Sequence, residues 1–300
     1  MYADDTTIYF NMEDFSINNL DNDITRELEN VTIWLRKNKL ALNADKTKCM
    51  IFHTQQKTIK PITFSMAGKE VEQVKSFKFL GIMLDTNLTM KHHIHMVASK
   101  LSKVCGILNR LKYIYPQQAL LFIYNSLFVS HMNYGLLLWG TDLDKVHKLQ
   151  KRALRTITGS EYIAHSEPIF KFLDLLTVQH MYKLKMLKFY YNLCYGVLPI
   201  YFDSYLNSIH QELPHSYGLR QKCRPMIRLP RTRLVFAESS VLYQLILLLN
   251  ETNANNPEII LKIKEKSHTL AGFTFNITRI YLAAYKYECI NDICYICGRT

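Results

Sequence analysis

The sequence predicts an α+β protein in which short strands and one helix occupy residues 1–90 and helices dominate the rest of the chain. Between residues 47 and 84, β-branched and aromatic residues come in short runs separated by turns, which is typical of strands. After Asp85, apolar residues recur at intervals of three and four, the period of an amphipathic helix. With 300 residues, 48% of them hydrophobic, the chain can bury one large core or two smaller ones.

The amino-terminal elements follow from local composition. Residues 6–10 are mostly β-branched or aromatic and follow a tight turn at residues 3–5, so we predict a strand there. Apolar residues spaced at three and four from Ile17 predict a helix that ends at Asn38. A turn is predicted at Ala67 and Gly68. Further short strands are predicted at residues 47–52, 62–66, 71–74 and 77–84.

The carboxy-terminal two thirds read as helical. The strongest pattern is at residues 94–111, where the apolar positions step by three and four and lysines and arginines are left for the other face. Pro116 suits the first turn of a second helix, and Thr141 with Asp144 resembles a capping box that opens a third. Helices are also predicted at residues 177–193 and 241–249.

Charge is distributed unevenly along a chain whose formal net charge is +12. Residues 1–35 contain eight Asp or Glu residues and a single cation, Arg26. Residues 91–155 contain ten Lys or Arg residues and only Asp142 and Asp144 as acids. The basic body predicts a polyanionic partner, either nucleic acid or an acidic membrane surface, and the sign of the charge alone does not choose between them.

Several function classes are disfavoured by composition. No stretch approaches the roughly 20 apolar residues of a membrane-spanning helix, and the first residues are acidic, unlike a secretory signal. Seven scattered cysteines suit reduced thiols better than a disulfide framework. We therefore expect an intracellular protein, nuclear or cytoplasmic, without a membrane partner.

Two adjacent carboxylates, Asp4 and Asp5, precede the first predicted strand. On a hairpin turn, such carboxylates can bind a hard divalent cation through oxygen. Taken alone, an Asp-Asp pair at a turn is more often simply solvated. The pair therefore becomes informative only through the motifs that follow it.

Three motifs follow one another in the first 90 residues. They are Tyr2, Ala3, Asp4 and Asp5; then Leu40, Leu42, Asn43, Lys46 and Thr47; then Phe79, Leu80 and Gly81 with Leu84, Asp85 and Leu88. In this order they resemble motifs C, D and E of the reverse transcriptases of non-LTR retrotransposons, jockey-like elements in particular. The resemblance covers about the first 160 residues and continues weakly to about residue 250.

The resemblance implies a domain plan. Residues 1–90 would be a partial polymerase palm of short antiparallel strands, and residues 91–160 a helical thumb and connection. Residues 161–300 would form a helical carboxy-terminal region with a basic segment at 220–233. The implied reaction is RNA-directed DNA synthesis, a nucleotidyl transfer, with an RNA template and a DNA primer as partners and no small-molecule cofactor.

The resemblance also implies roles for particular residues. Asp4 and Asp5 would be catalytic carboxylates that hold Mg²⁺, and Lys46 would protonate or stabilise the leaving pyrophosphate. Phe79, Leu80 and Gly81 would lie at the primer. Phosphate contacts are expected from the following basic residues: Lys100, Lys103, Arg110, Lys112, Lys148 and Arg152.

Each role has a plainer alternative. Lys46 would then be a surface lysine ahead of a strand, Phe79 and Leu80 core residues, and Gly81 a β-bulge glycine. The basic residues would form a solvated helix face. At the end of the chain, Cys294 and Cys297 form a lone Cys-x-x-Cys, and because zinc requires four ligands we do not predict a zinc site there.

The sequence also departs from the family pattern. The family's motif A, which supplies a further metal-binding carboxylate, and its fingers would precede motif C and are absent from these 300 residues. We therefore expect the isolated chain to be inactive as a polymerase. Two alternatives stay open: a non-catalytic nucleic-acid-binding relic of a retroelement, and a pseudogene product without function.

Overall fold

The computed structural model divides the chain into two compact units, Met1–His92 (unit 1) and His93–Thr300 (unit 2). Every strand of the described chain lies in unit 1, while long helices make up unit 2. This order of elements fits the α+β class, and the assignment of palm and thumb stays a prediction. The structure describes residues 6–10, 20–54, 63, 65–66, 68–209, 227–233 and 235–255.

Unit 1 contains one long helix, α1 (Leu20–Lys37). Its apolar stripe buries Ile24, Leu28 and Leu35, as the three- and four-residue spacing predicts. The helix ends as predicted at Asn38, whose backbone N–H still donates to the Trp34 carbonyl, 3.1 Å away. The apolar cluster of unit 1 consists of Ile24, Leu28, Leu35, Met66 and Val71.

The strands of unit 1 form three separate two-stranded sheets. Antiparallel pairing joins β2 to β3 across Gly68, whose φ of 77° confirms the predicted turn, and also joins β5 to β6. β1 and β4 pair in parallel, so the expectation of antiparallel strands throughout is wrong there. The strands are β1 (Lys48–Cys49), β2 (Ser65–Met66), β3 (Lys69–Glu70), β4 (Glu72–Gln73), β5 (Ser76–Phe79) and β6 (Ile82–Asp85).

Two strand predictions need correction. Residues 6–10 have irregular backbone, because no described strand pairs with them. Residues 77–84 form a hairpin instead of one strand: Leu80 and Gly81 have φ values of 44° and 82°. Two consecutive positive φ angles suit a two-residue turn of the type that matches the twist of a hairpin, so the chain reverses at Leu80 and Gly81.

Four helices predicted after residue 90 are confirmed, three of them predicted from apolar periodicity and the one that follows Thr141 from its capping signal. Thr177 caps the helix that starts at Val178, since its hydroxyl accepts a hydrogen bond from the His180 N–H. The capping box predicted at Thr141 and Asp144 is wrong, because Leu143 occupies the N-cap without a side-chain hydrogen bond. The four helices are α2 (Lys91–Leu111), α6 (Asp144–Thr158), α8 (Val178–Cys194) and α11 (Val241–Asn255).

The helix predicted at residues 116–131 is interrupted by a π turn. α3 (Gln117–Ile123) runs into a π-helical turn, Tyr124–Val129, and then into α4 (Ser130–Asn133). The buried residues here step by four, which in a regular α-helix advances roughly 40° beyond a full turn each time. A π turn contains more residues per turn, so four residues rotate by a smaller angle and the excess rotation is partly removed. The residues kept on one face are Leu120, Tyr124, Phe128 and Met132.

A buried amide links three helices of unit 2. The Gln150 Nε2 of α6 donates to the Tyr124 hydroxyl at 3.0 Å and to the Leu176 carbonyl at 2.9 Å. Its Oε1 accepts from the Val178 N–H at 2.9 Å, at the start of α8. Because a buried polar group without partners is costly, these bonds favour a start of α8 at Val178.

Within the described residues, no helix is long and apolar enough to cross a membrane.

The Asn250 amide exchanges two hydrogen bonds with the backbone of Ile227, which lies in the basic segment 220–233, and both bonds are 2.9 Å long. The shorter helices are α5 (Leu136–Trp139), α7 (Ser166–Phe172), α9 (Asp203–Ile209) and α10 (Val235–Glu238), with 3-10 turns at Ala44–Lys46 and Ile200–Phe202.

Candidate nucleic-acid interface

Helices α2 and α6 contact each other in unit 2. The Cys105 thiol of α2 lies 3.6 Å from the Leu149 carbonyl of α6, and burial raises the pKa of this thiol to about 11. Asn109 and Lys112 follow Cys105 at helical spacing, and Arg152 follows Leu149 in the same way. The contact therefore continues toward the carboxyl ends of both helices.

A cleft of about 520 Å³ lies where the two helices end. It contains three cations, and it brings together two residues predicted to contact phosphate, Lys112 and Arg152. The third cation is Arg155, which lies on α6 with Arg152. The cleft is lined by Asn109, Lys112, Arg152, Arg155, Thr156, Gly159, Ser160 and Tyr162.

Arg155 is held in place by the loop that follows α6. Gly159 has a φ of 68°, and the Ser160 N–H donates to the Arg155 carbonyl at 3.1 Å, which ends the helix and turns the chain back. The returning chain presents the Ala164 carbonyl, which accepts from the Arg155 Nε at 2.9 Å. With Nε engaged, the terminal guanidinium nitrogens are the donors left for a ligand.

The cleft is electropositive. Within the described residues, none of its three cations lies within salt-bridge distance of a carboxylate. Both helices direct their carboxyl ends here, and each contributes a partial charge of about −0.5. Three full positive charges exceed that total of about −1 and leave roughly +2. The cleft therefore favours an anion even after the helix dipoles are counted.

Aromatic rings accompany these cations. The Lys112 ammonium lies 5.0 Å from the centre of the Tyr113 ring, and Tyr162 lines the cleft itself. The side chains of Tyr113 and Tyr162 are 82% and 83% exposed. Neither was singled out from the sequence, because both lie outside the helices that showed a clear pattern.

The other predicted phosphate contacts are exposed but are not part of the cleft. Lys103 and Arg110 lie seven residues apart on α2, about two turns, and share its outer face. Lys100 and Lys148 are likewise exposed. These four cations lie on the solvent-exposed surface, whereas Lys112 and Arg152 line the concave cleft.

In unit 1, Lys46 ends a short turn that Asn43 organises. The Lys46 N–H approaches both the side-chain and the backbone oxygen of Asn43, at 3.3 and 3.2 Å, and the Thr47 hydroxyl donates to the Asn43 carbonyl at 3.0 Å. The Asn-x-x-Lys-Thr spacing thus has a structural reason, since asparagine closes turns in this way. Sequence reasoning had not given Asn43 a role.

The neighbouring lysines of unit 1 are neutralised, in contrast to Lys46. Lys48 pairs with Glu72, and Lys69 pairs with Asp45 at 2.9 Å. The hydrogen bond from Lys69 lowers the pKa of the Asp45 carboxyl. In the described part of the chain, Lys46 has no carboxylate partner and is exposed. Its ammonium is therefore available to an anion.

Phe79, Leu80 and Gly81 form the tip of the β5–β6 hairpin. Phe79 pairs with Ile82, and Leu80 and Gly81 make the turn. Leu80 is 37% exposed and holds a left-handed conformation that costs a branched residue about 1–2 kcal/mol. Such strain at an exposed tip is compatible with a contact role for Leu80. Gly81, with a φ of 82°, completes the turn, and its predicted place at the primer stays a prediction.

Asp85 is a structural residue. Its carboxylate accepts from the Asn87 and Thr89 N–H groups at 3.1 and 2.8 Å and from the Thr89 hydroxyl at 2.7 Å. These bonds shape the loop that leads into α2. Leu88, another residue of the third motif, adopts a positive φ of 52° in the same loop.

The carboxylates expected to hold Mg²⁺, Asp4 and Asp5, lie outside the described residues, as do Cys294 and Cys297. Among the described side chains, no three His, Cys, Asp or Glu residues come together as a metal site. Phe10, a few residues after the Asp pair, packs on the same apolar cluster as Cys49, which follows Lys46.

Comparison with curated proteins identifies polymerases of Drosophila melanogaster mobile elements. The chain is 26% identical over 154 residues to the probable RNA-directed DNA polymerase from transposon X-element, covering 48% of this chain and 16% of that protein. It is 26% identical over 188 residues to the probable RNA-directed DNA polymerase from transposon BS, covering 59% of this chain and 20% of that protein. It is 25% identical over 177 residues to the RNA-directed DNA polymerase from mobile element jockey, covering 56% of this chain and 19% of that protein.

These matches confirm the resemblance to jockey-like reverse transcriptases. The chain spans only 16% to 20% of the length of these three relatives. No family model matches the chain, and no solved structure matches it significantly.

Proposed function

We propose that this chain is a segment of the RNA-directed DNA polymerase of a jockey-like non-LTR retrotransposon. The observation that supports this most directly is the match of about half the chain to polymerases of that kind. In this proposal residues 1–90 contribute part of the palm, and the helices that follow contribute the thumb. The template is RNA, and the primer is DNA.

The proposed chemistry is the attack of a primer hydroxyl on an incoming nucleotide, with pyrophosphate as the leaving group. Asp4 and Asp5 would supply carboxylate oxygens, the ligands that Mg²⁺ prefers, and the bound ion would stabilise the charge that develops on the phosphates. Lys46 would donate a proton or a positive charge to the pyrophosphate. Its fixed backbone and lack of a described acidic partner suit that role.

Nucleic-acid binding is proposed for unit 2 and for the β5–β6 hairpin. The cations of α2 and α6 would neutralise backbone phosphates, while Phe79, Leu80 and Gly81 would contact the primer. These contacts are largely independent of base sequence, as a polymerase that copies any template requires.

A second candidate is a retroelement relic that binds nucleic acid without catalysis. It is favoured by one observation: the cationic cleft between α2 and α6 is complete within unit 2 and does not involve Asp4, Asp5 or Lys46. Binding could therefore persist where polymerisation does not.

Primer extension tests the first candidate. The match covers a fifth or less of each of these relatives, and motif A is absent from these 300 residues. We therefore expect no extension when the chain is supplied alone with primer, template, Mg²⁺ and nucleotides. Co-expression with the preceding segments of the jockey polymerase should restore extension. Asp4→Ala should then abolish it, whereas Asp142→Ala, an exposed acid of unit 2, should not.

Two outcomes decide between the candidates. Reconstituted extension that persists in the Asp4→Ala, Asp5→Ala variant would refute the assignment of the catalytic carboxylates. Failure to reconstitute extension, combined with salt-dependent binding of an RNA–DNA hybrid, would favour the non-catalytic candidate.

A further inference from the structure

The cleft between α2 and α6 differs in shape from an ordinary basic helix face. The cleft is about half open to solvent, and its volume of about 520 Å³ falls within the range of roughly 300–1,000 Å³ that is typical of pockets for small ligands. A duplex backbone is convex and would contact the outer cations of α2, such as Lys103 and Arg110. A concave site of this size suits one nucleotide unit that is not base-paired.

Its chemistry combines donors for phosphate with an aromatic rim. Arg152 and Arg155 carry guanidinium groups, which match the oxygens of a phosphate, and Lys112 adds a third charge. The Nε of Arg155 is bound to the Ala164 carbonyl, so part of the cost of ordering this side chain is met before any ligand arrives. Glu161, an acid adjacent in sequence to Tyr162, does not line the cleft.

The ring of Tyr162 adds a second kind of contact. A tyrosine that lines a cationic cleft and is 83% exposed presents a free aromatic face to the ligand. Bases of any identity stack on such a face, and proteins that bind single strands combine stacking rings with a basic groove in this way.

We propose that this cleft binds single-stranded nucleic acid, with one phosphate held by Lys112, Arg152 and Arg155 and the adjacent unpaired base stacked on Tyr162. This inference rests on the proposed function, because the ligand would be the template or primer strand of the proposed polymerase. It goes further by separating a single-strand site in the cleft from duplex contacts on the outer face of α2.

The test measures binding of the full chain to three labelled probes by fluorescence anisotropy at several salt concentrations. The probes are an oligothymidylate, an abasic strand with the same number of phosphates, and an RNA–DNA hybrid of the same length. Tyr162→Ala should weaken oligothymidylate binding about 5- to 100-fold without changing the salt slope. It should leave the abasic strand and the hybrid unchanged, and Tyr162→Phe should retain binding.

Charge variants provide the second arm. Lys112→Gln combined with Arg152→Gln should reduce the salt slope for both single strands by about 1.4, since each lost contact removes about 0.7. The matched control, Lys171→Gln with Lys183→Gln, also removes two positive charges from unit 2, but these lysines pair with Glu167 and Glu251 outside the cleft. For this control variant, the salt slope of single-strand binding should fall by less than about 1.4. All of these substitutions replace side chains outside the buried core.

The results separate this inference from the proposed function. Equal effects of Tyr162→Ala on the oligothymidylate and the abasic strand, or no effect on either, would overturn base stacking. Equal slopes for the cleft pair and the control pair would overturn the phosphate site. Either failure together with restored extension in the co-expression assay leaves the polymerase assignment standing and removes only the single-strand site.

Discussion

Unit 1 and unit 2 are stabilised in different ways. In the described part of unit 1 no strand exceeds four residues, and five buried side chains form its apolar cluster. Unit 1 also contains the 18-residue α1, but unit 2 packs several long helices together and buries large side chains completely, Trp139 and Tyr124 among them. The amino-terminal unit therefore has the smaller reserve of buried apolar surface.

The difference follows from where each kind of element finds its hydrogen bonds. A helix satisfies its backbone internally, whereas a strand needs a neighbour, and an isolated two-stranded sheet is marginal in water. The ion pairs of unit 1, Lys48–Glu72 and Lys69–Asp45, are exposed on at least one side, and exposed pairs contribute little. We infer that unit 1 unfolds before unit 2.

The two tryptophans of the chain allow this comparison to be measured, since Trp34 lies in unit 1 and Trp139 in unit 2. Fluorescence of a Trp34→Phe variant reports on unit 2 alone, and that of a Trp139→Phe variant reports on unit 1 alone. In a denaturant titration, we expect the Trp34 signal to change at the lower concentration. Coincident transitions would show that the two units unfold as one.

The largest effect is expected from the same truncation made in both cores. Leu108→Ala in α2 removes a fully buried side chain, and Leu28→Ala in α1 removes one in the small cluster. Leu-to-Ala changes cost about 2–5 kcal/mol, depending on how well the site collapses. We expect Leu108→Ala near the top of this range and Leu28→Ala near the bottom, each read by its own tryptophan. A reversed order would contradict the comparison.

Acid should destabilise unit 2 through His180. Burial, with Lys183 and His147 nearby, lowers the pKa of His180 from 6.5 to about 4. The unfolded chain therefore takes up a proton before the folded one, and stability falls as pH drops from about 6.5 toward 4, by about 1.4 kcal/mol for each unit of difference. A His180→Gln variant should show a flatter dependence of Tm on pH over this window. An equally steep dependence would assign the acid sensitivity to other groups.

Loss of the buried amide in unit 2 should cost less. Gln150→Leu leaves the Val178 N–H and the Tyr124 hydroxyl without their partner. An unsatisfied buried polar group costs about 1–3 kcal/mol. Because Val178 begins α8, amide hydrogen exchange should show the first turn of α8 losing protection in this variant. Unchanged protection there would mean that Gln150 does not determine where α8 begins.

The smallest effect is a gain of stability in unit 1. Leu80 adopts a φ of 44°, which asparagine tolerates better than leucine. Leu80→Asn should therefore stabilise the β5–β6 hairpin by about 1 kcal/mol, as seen in the Trp34 signal. Leu80→Ala, which keeps the unfavourable conformation, should give no such gain. If both variants behave alike, strain at Leu80 does not limit the stability of unit 1.

Much of the helical architecture was predictable, and most of the strand pairing was not. α1, α2, α8 and α11 follow from apolar spacing because helical contacts are local in sequence. The parallel pairing of β1 with β4 depends on residues more than 20 positions apart, for which a single strand holds no signal. The β5–β6 turn was missed because Leu80 continues an apolar run, and only the turn at Gly81 interrupts it.

The candidate site was predictable as charge but not as geometry. Lys112 and Arg152 were identified because acids are scarce around them, yet their meeting depends on the contact between Cys105 and Leu149. Tyr162 follows α6 in a loop, where no periodicity marks it. Lys46 was named for its motif, while Asn43, which shapes the turn, could have been identified from its known preference for closing turns.

The π turn at Tyr124–Val129 makes this helix sensitive to length. Its buried residues from Leu120 to Met132 keep a strict interval of four, and the extra residue of the π turn keeps that interval in phase with the core. A substitution at one position alters one contact. A single-residue insertion or deletion would instead turn the later side chains of this helix by roughly 100° and move Met132 away from the core. Along this helix we therefore expect substitutions to be tolerated better than any change in the number of residues.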